Sequence, residues 1–283
     1  MNEITTNINW YPGHMTKARR AMEEDLKLVD MILEIRDARV PLSSLNPDMA
    51  ELGKNKPRIL LLNKADLADE ALTKLWMSSL RSDSVSVTAA DARKSAGLKE
   101  LRLLLDKAAS AKAQKDKARG IVSRPVRIMV VGIPNVGKST VINSLAGKAS
   151  ARTGDKPGVT RGNQWIRLGR SVELLDTPGI LWPKFEDPRV GLCLALIGSI
   201  NDDILPVEEL AAEGLKMLSG LYPEAIKEKY GILSEDPYQA LPEIAERNKL
   251  LKKGAEPDPE RAARRVLDDL RKGRLGRVTL DRP

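Results

Sequence analysis

Short apolar runs alternate with stretches of helical periodicity through the first two-thirds of the 283-residue chain. Residues 29–35, 58–62, 84–87, 126–131, 165–168 and 172–175 read as strands, rich in Val, Ile and Leu. Between several of them, residues 70–80 and 98–109 and the stretch following Lys138 place apolar side chains at helical spacing. Residues 126–131 are apolar almost throughout, as a fully buried central strand requires. Strands separated by helices predict an α/β fold with a mainly parallel sheet covered on both faces.

The pattern changes after residue 181. From residue 203 onward nearly everything reads as helix, broken at prolines 206, 223, 237, 242, 257 and 259. Asp258-Pro259-Glu260 has the form of an N-cap followed by proline in the first turn, and Gly273 that of a C-terminal stop. Ala262, Ala263, Val266, Leu267 and Leu270 form an apolar stripe; Arg261, Arg264, Arg265, Arg271 and Lys272 occupy the rest of that helix. Two readings stand: a docked helix with a solvated face, or a helix that faces nucleic acid. The expected organisation is one α/β domain over residues 1–183 and a smaller all-α domain over 184–283.

Charge sharpens this picture. Lys and Arg number 47 against 39 Asp and Glu, a formal +8. The excess is uneven: residues 107–127 hold seven basic residues and one acidic, residues 247–283 twelve and six, and the remainder is net negative. The first stretch, punctuated by Gly120 and Pro125, reads as a helix end and a solvated basic connector. Two basic patches suggest a phosphate-rich partner, while nine aromatic residues argue against a broad base-stacking surface. A single cysteine, Cys193, and a single histidine, His14, exclude an internal disulfide and multi-Cys or His–His zinc sites. Residues 1–9 lack the pattern of a secretory signal, and the longest strongly apolar stretch, 190–200, is far short of the roughly 20 residues a bilayer span needs. A cytoplasmic chain is expected, with no membrane and no DNA partner.

Gly132-Ile133-Pro134-Asn135-Val136-Gly137-Lys138-Ser139 matches G-x-x-x-x-G-K-[ST] directly after the buried strand and before a helical stretch. In that context successive backbone N–H groups, including those of Val136, Gly137 and Thr140, converge on phosphate, and the helix N-terminus adds a favourable field. Lys138 supplies a charge between β- and γ-phosphates, and the Ser139 hydroxyl a magnesium ligand. Asn63-Lys64-Ala65-Asp66 follows the strand at 58–62. An aspartate carboxylate accepts two hydrogen bonds from the N1–H and N2–H₂ edge of guanine and would be left unpaired by adenine. Alone it is also compatible with a strand-end turn; beside a phosphate loop it points to GTP and GDP. Asp176-Thr177-Pro178-Gly179 ends another strand: Asp176 would hold Mg²⁺, and the Gly179 N–H would sense the γ-phosphate. Thr160, in the glycine-containing loop 150–162, suits a hydroxyl that folds over the metal. Thr88-Ala89, read as following the strand at 84–87, could back the guanine with a main-chain N–H.

The order of these motifs is unusual. A GTP-binding domain ordinarily runs phosphate loop, switch threonine, Asp-x-x-Gly, then Asn-Lys-x-Asp; here the base-recognition motifs come first. The same sheet can be assembled if the ends are joined and the chain opened elsewhere, so the prediction is a three-layer P-loop GTPase domain with circularly permuted motifs. The sensor at Gly179 then feeds directly into the helical region.

Trp10-Tyr11-Pro12-Gly13-His14-Met15, Asp37-Ala38-Arg39-Val40-Pro41, the permuted motifs, the run from Asp176 to Pro183 and Gly276-Arg277-Val278 together resemble the bacterial ribosome biogenesis GTPase A family, nearly end to end. That resemblance implies a GTPase that binds the maturing large (50S) ribosomal subunit, contacts ribosomal RNA through its C-terminal domain, and is activated by the subunit. A monomer off the ribosome is expected. Scarce aromatics agree with docking on folded RNA through phosphates and shape. A regulatory switch whose helices bind a protein effector, without RNA, is the competing reading.

Many GTPases place a glutamine after Asp-x-x-Gly to orient the attacking water; this chain has Ile180, so unaided hydrolysis should be slow. His14, expected in a flexible segment, is a candidate catalytic substitute, as the resemblance also implies, or a structural histidine packed beside Trp10. Asn135 either helps hold K⁺ against the phosphates, as in similar GTPases, or bonds its own loop.

Overall fold

The computed structural model describes residues 12–121, 124–147, 163–182, 185–231 and 234–283, with side chains except those of 12–18 and Ser95. Six strands form one sheet: β1 (Met31–Asp37), β2 (Arg58–Asn63), β3 (Val85–Ala90), β4 (Val126–Val131), β5 (Gln164–Leu168) and β6 (Val172–Asp176), in the order β3-β2-β1-β4-β6-β5. Neighbours are parallel except β5 and β6, which form an antiparallel edge pair. The phosphate-loop strand β4 lies between β1 and β6, although β1–β3 precede it in the chain. This is the connectivity the permuted motif order requires.

Alternation along the strands assigns the two faces. Met129 and Val131 of β4 meet Met22 and Leu26 of α1 (Pro12–Leu28) on one side. On the other, Ile128 and Val130 join Leu101 and Leu105 of α4 (Lys99–Ala118) and Val141, Ile142 and Leu145 of α5 (Lys138–Ala146). Leu60 and Leu62 of β2 pack on Trp76 of α3 (Glu70–Ser79). A short α2 (Pro47–Leu52) is capped by Asn46, whose side chain accepts from Met49 N–H.

The helical region comprises α6 (Pro188–Leu196), α7 (Val207–Leu221), α8 (Pro223–Tyr230), α9 (Pro237–Arg247) and α10 (Pro259–Arg271). Asp187, Asp236 and Asp258 cap α6, α9 and α10, each just before a proline. The α10 stripe is buried as expected, against α7 and α9. Its core belongs to the same cluster as the α4–α5 face of the sheet.

Several boundaries differ from expectation. β1 spans 31–37 rather than 29–35, and β3 continues to Ala90, so Thr88 and Ala89 lie inside the strand. α4 runs to Ala118 instead of ending near 109. Its Ala-, Lys- and Gln-rich extension contains good helix formers, and Lys112 bridges Asp116 one turn on as well as Asp30. α9 continues through Pro242 because Ala240, Leu241, Ile244 and Ala245 bury one face across it. The backbone of His14 lies in the first turn of α1.

Candidate guanine-nucleotide site

In a parallel sheet, ligand-binding loops collect at the carboxyl ends of the strands. The ends of β1, β2, β4 and β6 converge here. Gly137, at φ +95°, caps α5, and a side chain there would run into the Asn63 amide. Lys138 is 7% exposed, and its Nζ donates to the Gly132 and Ile133 carbonyls at 3.0 Å each. Burial pushes its ammonium down to about 8, with Asp176 opposing the shift. Ser139 and Thr140 follow in the first turn of α5.

Val130 and Asp176 are register partners, which brings the Asp-Thr-Pro-Gly segment beside the phosphate loop. Thr177 Oγ1 donates to Val130 O at 2.6 Å. Asp176 is buried, its carboxyl raised by desolvation against the pull of Lys138, and its Oδ1 has no protein partner. An orphaned buried carboxylate oxygen is a hard-oxygen donor, the kind suited to Mg²⁺. Gly179 lies against the loop: a Cβ there would be 2.6 Å from Lys138 Nζ and 2.9 Å from Pro134 N and Cα.

The base-recognition residues meet the same loop. Asn63 donates from Nδ2 to Val136 O (2.7 Å) and accepts from Ala92 N–H (3.1 Å), joining the loops after β2, β3 and β4. Lys64, at φ +59°, donates to Asn135 O (2.7 Å) and pairs with Asp37 (3.1 Å). Ala65 N–H donates to Ala90 O. Asp66 Oδ1 is buried without a partner, and its Oδ2 accepts from Arg93 Nη2 at 2.5 Å. That unpartnered oxygen fits a guanine edge.

Thr88 Oγ1 donates to Glu100 at 2.8 Å and Thr88 is 1% exposed, so its side chain is committed to the core. The turn beside Asp66 belongs instead to Asp91, Ala92 and Arg93. Asn135, at φ +60°, donates from Nδ2 to Gly198 O (2.7 Å), in a segment of the helical region. Ser199 Oγ donates to Pro134 O at 2.9 Å. Ile180 packs against the Met22–Met129 cluster, and its carbonyl accepts from Asn46 Nδ2. Thr160 and the His14 side chain lie outside the described residues.

Sequence reasoning assigned no role to Asp37, Arg39, Arg93, Gly198 or Ser199. Asp37 and Arg39 had one available signal, a charged pair at the end of an apolar strand; the contacts of Gly198 and Ser199 depend on tertiary packing.

Known proteins are similar to this chain. The 50S ribosome-binding GTPase family matches residues 127–218. Ribosome biogenesis GTPase A of Bacillus cereus is 45% identical over 278 residues, 98% of this chain and 94% of that one. Mitochondrial ribosome-associated GTPase 1 of mouse is 35% identical, over 96% and 90% respectively. The solved structure of GNP-bound YlqF from T. maritima aligns with a TM-score of 0.67 at 30% identity, covering 94% of this chain and 98% of that one. At this identity over nearly the whole of each chain, the chain is a GTP-hydrolysing enzyme and belongs to the ribosome biogenesis GTPase A family.

Proposed function

We propose that this GTPase is an assembly factor for the large ribosomal subunit, with GTP hydrolysis stimulated by the subunit. The relatives' names support a role in ribosome assembly. The observation that carries the reading is the direct bonding of the phosphate loop to the helical region, Asn135 to Gly198 and Ser199 to Pro134. A partner that shifts those helices acts on the phosphates without intervening structure.

In this reading residues 1–183 form the nucleotide domain and 184–283 the RNA-facing domain. Arg261, Arg264, Arg265 and Arg274 line one depression beside Leu250 and Asp268, a surface suited to RNA phosphates. The basic stretch at 107–127 contributes less than its composition suggests, because Lys112, Arg124 and Arg127 are paired with Asp30, Asp116 and Glu173. Among the described residues no helix is long and apolar enough to cross a membrane; a cytoplasmic monomer is part of the proposal.

For hydrolysis, the loop N–H groups and Lys138 neutralise the phosphates, Asp66 selects guanine, and the Gly179 N–H engages the γ-phosphate. Ser139, Asp176 and Thr160 would hold Mg²⁺, which supplies charge neutralisation between the phosphates. Asn135 would help hold K⁺, on breaking its bond to Gly198. Ile180 cannot orient water, and His14 takes that role once the subunit is bound. Co-sedimentation with purified large subunits, in GTP analogue, GDP or no nucleotide, tests the reading. Binding that depends on the analogue is expected; the same weak sedimentation in all three conditions would overturn it and favour a protein effector.

A further inference from the structure

Two segments of this chain lie outside the nucleotide motifs yet meet at their edge: the Asp37–Pro41 turn after β1 and the C-terminal tail. Asp37 is completely buried. Arg39 grips it through Nε (2.9 Å) and Nη2 (2.8 Å), and Lys64 Nζ lies 3.1 Å away. Burial alone would raise the Asp37 carboxyl, but Arg39 and Lys64 outweigh it and hold it below the ordinary aspartate value. Arg39 itself is 1% exposed, and its Nη1 donates to the Leu270 and Arg271 carbonyls. Those belong to the last turn of α10, where helix carbonyls have no partner within the helix.

The tail then doubles this connection. Leu280 N–H donates to Arg39 O and Val278 N–H to Leu67 O, one residue past Asp66. Thr279 Oγ1 accepts from Asp69 N–H, and the Asp281 carboxylate accepts from the Leu42 and Ser43 amides and the Ser43 hydroxyl. On the opposite side Arg271 donates to the Ala195 and Leu196 carbonyls, three and two residues before Gly198. The end of α10 is thus bonded to the nucleotide site by two routes, Arg39–Asp37–Lys64 and Arg271–α6–Gly198. Both arrive at Asn135.

A surface tie would tolerate loose packing; a buried carboxylate shared by an arginine and the base-recognition lysine does not. Moving α10 drags Arg39, and Asp37 then changes where the Lys64 ammonium sits. We propose that Asp37 and Arg39, with the tail segment 276–283 seated on them, are positioning residues for guanine-nucleotide binding, which makes α10 and the nucleotide site energetically coupled. By linkage the coupling is reciprocal: whatever the tail does for nucleotide affinity, bound nucleotide does for the tail. The proposal concerns nucleotide binding alone and stands independently of the ribosomal reading.

Amide hydrogen exchange on the unaltered full chain, with and without saturating GDP, is the first test. GDP is expected to slow exchange at the Val278 and Leu280 amides as well as in the phosphate loop. Slowing confined to the phosphate loop overturns the proposal. Arg39→Lys keeps a charge beside Asp37 but cannot form the paired contact or reach α10, and Asp281→Asn loosens the tail far from any nucleotide contact. Both should weaken binding of a fluorescent GDP analogue, Arg39→Lys by about fivefold or more, with melting temperature recorded in parallel. Variants that melt lower but bind GDP as tightly as the parent show a merely structural latch and also overturn the proposal. Should Arg39→Lys fail to fold, the exchange measurement on the unaltered chain decides.

Discussion

Replacing Gly179 by alanine tests how the γ-phosphate is sensed. The new Cβ would stand 2.9 Å from both the nitrogen and the Cα of Pro134, and 2.6 Å from Lys138 Nζ. The lysine tip can move aside, although it is the group that binds phosphate. Pro134 is backbone, and ordinary contact with it begins about half an ångström further out. The segment carrying Gly179 must therefore retreat from the loop, at a cost of about 1–3 kcal/mol for overpacking of this kind. If the proposed role of Gly179 holds, the GDP state does not need it close, so the cost falls on the GTP state. At about 1.4 kcal/mol per tenfold, affinity for a non-hydrolysable GTP analogue should drop by roughly 5- to 150-fold. GDP affinity should stay within about threefold, since only the γ-phosphate contact is lost. Fluorescence titration with labelled GDP and GTP analogue measures both. Equal loss for the two nucleotides, or none for the GTP analogue, would refute the assignment of Gly179.

Asp66→Asn puts an amide donor against the donor edge of guanine; GDP affinity should fall about a hundredfold or more, and xanthosine diphosphate, which offers an acceptor there, should gain. Calorimetry with both nucleotides checks this, and unchanged GDP binding would remove Asp66 from the base pocket. Asp37→Asn leaves the buried Arg39 and the half-buried Lys64 without their anion, which should cost about 3–5 kcal/mol in urea unfolding. Because the Asp37 carboxyl is held low, its contribution is fully present above the ordinary aspartate pKa and is lost as pH falls towards the folded value, so the parent and variant unfolding curves should converge in acid. Cys193 is buried, and desolvation with the nearby Asp281 charge pushes its thiol up to about 12. A thiol reagent at pH 8 should label it orders of magnitude more slowly in the native chain than in denaturant; comparable rates would place it at the surface.

Much of this was legible along the chain because the strongest signals are local. Residues 126–131 and 132–139 state a buried strand and its phosphate loop within one short stretch. Asp258-Pro259 and Gly273 bracket α10 at Pro259–Arg271 because caps act within a turn. The extension of α4 was missed because seven basic residues read as solvent-seeking, whereas Asp30, far away in the chain, neutralises Lys112 and Arg124 in space. Pro242 read as a break because the apolar face that carries α9 across it depends on tertiary burial. Thr88 matched the spacing of a base-backing residue, but its strand runs on to Ala90 and its hydroxyl is taken by Glu100. Asp37 and Arg39 carried the family resemblance without a chemistry, since their partners Lys64 and Leu270 are set by the fold alone.

The account turns on communication between the helical region and the phosphates, and turnover reports it most directly. On the proposed reading GTP hydrolysis should be slow for the chain alone, because Ile180 follows Asp-Thr-Pro-Gly where many GTPases have a water-orienting glutamine. Added large ribosomal subunits should raise the rate by at least about tenfold, whereas small subunits at the same concentration should leave it unchanged. A rate that is indifferent to large subunits, or raised equally by both, would contradict it.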